Sequence, residues 1–179
     1  MSKHSLETTR ILPGMCRRMG LDETKVYERS KRLLKSRQEM GWTAADYFGG
    51  DEDYIYYYRT DELQEALEWI KGYFSSEDDG KEEEYFMILW ESGLMKKLFR
   101  ESLEILSCFQ KVGGTYHLLI MKRFLADVLM NEKDLGALLG LSRSTVYARL
   151  HEAVIAFGLA FFKAVRPYIL EEHSDGDAV

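Results

Sequence analysis

Apolar residues recur at three- and four-residue steps along most of this chain, and nowhere do they alternate over the length of a strand. That pattern predicts an all-α fold. Asp22 reads as the cap of a helix carrying Val26, Leu33 and Leu34 on one stripe and running to the Gly41 stop. A second helix, from Thr60 or Asp61 to about Phe74, places Leu63, Ala66, Leu67, Ile70 and Phe74 on one side, and the polar run 75–80 closes it as a loop. The long periodic segment 82–110 is divided or kinked at Gly93 and ended by Gly113-Gly114. Thr115 then caps a helix from Tyr116 to about Met130. Residues 1–21, broken by Pro13-Gly14 and without a sustained period, read as an irregular segment. The resulting division is 1–21, a helical region 22–112, a C-terminal module 113–170 and an acidic tail 171–179.

Residues 131–150, NEKDLGALLGLSRSTVYARL, carry the most information. Asn131 caps a short helix, 132–139, whose Leu135 and Leu139 point inward while Gly136 admits a close neighbour. Gly140 supplies the positive φ that reverses the chain, Leu141 fills the space beneath the turn, and Ser142 caps the next helix. These are the requirements of a helix-turn-helix. In the second helix Val146, Leu150, Ala153, Val154 and Phe157 share one face, which leaves Ser144, Tyr147, Ala148 and His151 on the other and Arg143 at its exposed start. Such a helix fits the major groove of B-DNA, where Arg143 suits the O6 and N7 of guanine and Ala148 a thymine methyl. Ser142, Ser144, Thr145 and Tyr147 offer hydroxyls, and His151 a neutral polar contact. Arg149, Lys122 and Arg123 are candidates for phosphate. The rival reading is an ordinary corner between two helices.

Composition changes this picture in one respect. The formal net charge is −6, yet residues 1–42 hold 10 Lys+Arg against 5 Asp+Glu, while residues 43–104 hold 6 against 17. An acidic middle thus separates two basic parts, and any polyanion contact must be local because charge acts over about 8–10 Å. The basic opening helix, with Lys25, Arg29, Lys31, Arg32, Lys35 and Arg37, is open to three roles: a solvated face, a phosphate contact, or a partner for the acidic middle. Residues 42–59 combine an acidic loop with Tyr54, Tyr56, Tyr57 and Tyr58, aromatics suited to a core or an interface.

The run Leu138-Leu139-Gly140-Leu141-Ser142-Arg143-Ser144-Thr145-Val146-Tyr147 resembles the region 4 helix-turn-helix of bacterial sigma factors. With the preceding helix and the trailing Glu152 to Gly158, residues 115–162 are similar to the ArpU-type phage late-operon transcriptional regulators, and Lys25 to Arg37 resembles the Leu/Arg-rich opening helix of such proteins. The resemblance implies a small bacterial or prophage transcription activator that binds a promoter-proximal site. Its partners are double-stranded DNA and, as a further candidate, RNA polymerase. The acidic Tyr-rich middle departs from the pattern, and no sigma region 2 is recognised there.

Other chemistry finds little footing. His4, His117, His151 and His173 are dispersed, Gly113-Gly114 lacks the Gly-Lys-Ser/Thr of a phosphate loop, and no G-x-S-x-G occurs, so neither an enzyme, a metal nor a cofactor is expected. Cys16 and Cys108 read as free thiols. Apolar runs such as 154–162 fall short of the ~20 residues of a membrane span, and no export signal opens the chain, so a cytoplasmic protein is expected. The nearly all-apolar stretch 155–162 must be covered, either by residues 60–110 or by a second copy, and the expected functional unit is a homodimer that would read two half-sites about one DNA turn apart. The alternative function is a protein-interaction or nucleic-acid-mimicking module that works through the acidic aromatic middle, with the helix-turn-helix as scaffold.

Overall fold

The computed structural model describes residues 3–39, 61–77, 80–109 and 112–170. The predicted Tyr-rich loop and the acidic tail lie outside them. In chain order the helices are α1 (Lys3–Arg18), α2 (Glu23–Glu39), α3 (Asp61–Lys71), α4 (Glu82–Glu91), α5 (Leu94–Ser107), α6 (Gly113–Ile120), α7 (Glu132–Leu139) and α8 (Arg143–Leu170), with a π-turn over Met121–Leu125 after α6. No strand occurs among the described residues, and the fold is all-α.

Local chemistry sets several of these boundaries. The N–H of Lys25 donates to Asp22 Oδ1 at 2.9 Å, so α2 begins where a capping carboxylate takes one of its free donors. Gly93, at φ 78°, breaks the long periodic segment into α4 and α5. α6 starts at Gly113, three residues earlier than a Thr115 cap would have placed it, and the chain turns back so tightly there that a Cβ would lie 2.6 Å from the carbonyl oxygens of Leu106 and Ser107.

The helix expected to reach Met130 instead stops at the π-turn, with Ala126 extended. Two side chains of α2 take the place of the missing helical donors: Arg37 donates to the Ala126 carbonyl and Gln38 to that of Phe124, both at 3.4 Å. The reading of residues 1–21 as irregular is also corrected. α1 spans most of that segment, passing through Pro13, with Leu12 and Cys16 buried on one side and Met15 and Met19 packed against the core. Tertiary burial, invisible to a window with so short an apolar stripe, outweighs the local breaker.

α8 is the axis of the molecule. Residues 152–161 are buried on every side, and α1, α2, α3, α5 and α6 all pack against it. Phe99 of α5 meets Phe157 at 5.4 Å and Phe161 at 6.1 Å between ring centres, while Phe74 reaches Phe161 from the end of α3. Each such ring contributes roughly 1.5–3 kcal/mol by leaving water. α2 crosses α8 at Gly158, where a Cβ would come within 2.9 Å of Val26 and collide with Ser30. One contiguous core therefore runs across residue 112, and the expected boundary there divides no packing unit.

The apolar stretch 155–162 is covered by the chain itself, which removes that argument for a second copy. By length and composition α8 does contain a window apolar enough to cross a membrane, contrary to the expectation above, and 67% of it is buried in this core.

Candidate nucleic-acid interface

α7, the turn 140–142 and the start of α8 form a unit whose every punctuation residue is accounted for. Asn131 Oδ1 accepts from the N–H of Asp134 at 2.9 Å and caps α7. Gly140 closes it at φ 66°, a left-handed conformation that costs an ordinary side chain about 1–2 kcal/mol. The Leu141 N–H then donates to the Gly136 carbonyl at 2.9 Å, and a Cβ on Gly136 would lie 2.8 Å from the Leu141 oxygen. Ser142 Oγ accepts from the N–H of Thr145 at 3.3 Å and shares hydroxyl contacts with Thr145 at 2.8 Å and Ser144 at 3.2 Å. Leu135 and Val146 are fully buried where the two helices meet, with Leu150 one turn on and Leu139 and Leu141 partly covered.

The opposite side of α8 is open. Ser142, Arg143, Ser144, Tyr147, Ala148 and His151 are exposed, Tyr147 by 49%, and Thr145 is half-buried. Arg143 donates to the Tyr147 hydroxyl at 3.5 Å and lies 5.7 Å from the centre of that ring. This hydroxyl pushes the guanidinium pKa further above its ordinary value, so the charge is permanent. The result is a fixed cation braced on an aromatic ring at the outer start of the helix.

Two of the sequence candidates are engaged elsewhere. Arg149 pairs with Glu152 at 3.2 Å, and the same carboxylate oxygen accepts from the Tyr116 hydroxyl at 2.9 Å. Arg149 thus belongs to a part-buried network joining α6 to α8. Arg123 pairs with Glu132 at 3.4 Å and ties the π-turn to the start of α7. Lys122, beside it, is exposed.

Sequence reasoning missed the neighbour of His151. Tyr27 of α2 stacks on the imidazole with ring centres 4.2 Å apart and planes 24° from parallel. Lys31, one turn further along α2, places its ammonium 5.8 Å from the Tyr27 ring centre. Comparison with family models, with curated proteins and with solved structures returns no match.

Proposed function

We propose that this chain is a sequence-specific DNA-binding regulator of transcription, of bacterial or prophage type, that reads the major groove with the helix beginning at Arg143. The observation carrying this reading is the open polar face Ser142-Arg143-Ser144-Tyr147-Ala148-His151 on a helix whose other side is locked into the core. A rigid helix start with a braced arginine, small neighbours and hydroxyls suits base edges and the phosphates beside them. The resemblance of residues 138–147 to sigma region 4 points the same way, and RNA polymerase stays a candidate partner on that resemblance alone. The protein would work in the cytoplasm, where such DNA is found.

Selection of bound fragments from random duplex DNA, with the full chain, tests the reading. Enrichment of a common motif is the expected result, and two-fold symmetry in it would report two copies per site. Arg143→Ala should cost roughly ten- to a hundredfold in affinity for the selected duplex and relax the choice of base at one position. Lys122→Ala should weaken all sequences alike. Failure to retain any duplex, or equal loss on every sequence from Arg143→Ala, would overturn reading by this helix.

A further inference from the structure

α2 carries six cations, and four of them contact other groups of the chain. Lys25 pairs with Glu77 at 3.5 Å, Arg32 with Glu82 at 3.2 Å and Arg37 with Asp127 at 3.4 Å, while Arg29 donates to the Tyr73 carbonyl and to Ser76. Lys25 and Arg32 are thus paired with carboxylates of the acidic middle, Arg37 with a carboxylate beside the π-turn, and Arg29 with backbone and hydroxyl oxygens. Lys31 and Lys35, one turn apart, belong to another flank, and no carboxylate among the described residues lies within 4.0 Å of either ammonium. Lys31 is on the ridge that Tyr27 stacks against His151, so this flank adjoins the open face of α8.

Helix geometry gives the scale. His151 is two turns beyond Arg143, about 12 Å along the axis at ~1.5 Å per residue. That is about the width of the major groove. For a helix that enters the groove with Arg143 at its floor, the Tyr27–His151 stack is about one groove width away, within reach of a bordering phosphate strand.

We propose, resting on the reading above, that α2 is a second arm of the duplex interface: Lys31 and Lys35 contact phosphates on the strand bordering the groove that Arg143 enters. The Tyr27–His151 stack sets the spacing between the two arms. Tyr27 is a positioning residue, since it acts through His151 and Lys31 rather than on DNA. The contacts that the other four cations make within the chain leave a narrow contact, one that holds the protein in register without adding sequence information.

The test uses the full chain, a duplex enriched by selection and an unrelated duplex of equal length, with affinities measured by fluorescence anisotropy over a salt series. Each phosphate contact contributes about 0.9 to the slope of log affinity against log salt. Lys31→Gln with Lys35→Gln should lower the slope by nearly two and weaken both duplexes by the same factor, leaving their ratio unchanged. Tyr27→Leu should lower the slope by up to about one, and Tyr27→Phe, which keeps the ring, should behave as the wild type. Helix content and thermal midpoint confirm that each variant folds. An unchanged slope in the double lysine variant, with wild-type binding and an altered preference in Arg143→Ala, overturns the second arm and leaves the reading helix standing. Equal losses from Tyr27→Phe and Tyr27→Leu overturn the role of the stack. A wild-type chain that binds neither duplex removes both proposals.

Discussion

Ser30 sits where α2 crosses α8, fully buried, with its hydroxyl unpaired against Gly158. A buried hydroxyl without a partner costs on the order of 1–3 kcal/mol relative to water. Ser30→Ala should therefore raise stability in urea denaturation, by about 1 kcal/mol after the small loss of packing is counted. Gly158→Ala should destabilise, and by less in the Ser30→Ala background; equal costs in the two backgrounds would show that the crossing has room to relax. At this scale the sequence is uneven in what it discloses. Gly136 and Gly140 announce themselves because the residues that make them necessary are near neighbours in the chain. Gly158 does not, since Val26 and Ser30 reach it from a distant helix. Tyr27 escaped notice for the same reason, as its partner His151 lies at the far end of the chain.

Between elements, the Tyr116–Glu152–Arg149 group ties α6 to the shaft of α8 just behind its open face. Tyr116 is fully buried and Glu152 nearly so. Tyr116→Phe deletes one hydrogen bond to a charged acceptor and should cost about 1.5–3 kcal/mol of stability. If that change leaves stability untouched, the group is incidental to how α8 is held. The pairing was partly legible: Arg149 and Glu152 stand three apart on one helix, a spacing that favours an ion pair. Periodicity placed Arg149 on the flank of α8, but it could not say whether water, phosphate or the neighbouring carboxylate held the guanidinium. The capped unit 131–146 was legible almost residue by residue, because caps, turn glycine and inward positions are local signals. α1 was not, because its helix depends on burying Leu12 and Cys16 against the rest of the molecule.

For the molecule as a whole, pH reports on the seam between α6 and its surroundings. Burial pushes His117 below its ordinary pKa of 6.5. The unfolded chain then takes up a proton that the folded chain resists, so stability is lost as pH falls from about 6.5 toward the lowered folded value and changes no further below it. His117→Gln should remove this part of the pH dependence. The stability difference, wild type minus variant, should decline between pH 7.5 and pH 5; a constant difference would mean that the imidazole is as well hydrated folded as unfolded.

The continuity of α8 has a last consequence. Its tip and its shaft are one rod of 28 residues, and the walls around the shaft come from both halves of the chain. A fragment cut at residue 112 would leave α1, α2, α3 and α5 behind and bare an oily surface along most of that rod. The tip is thus not a portable head that can be grafted onto another protein, and any pull on it is felt directly in the centre of the molecule.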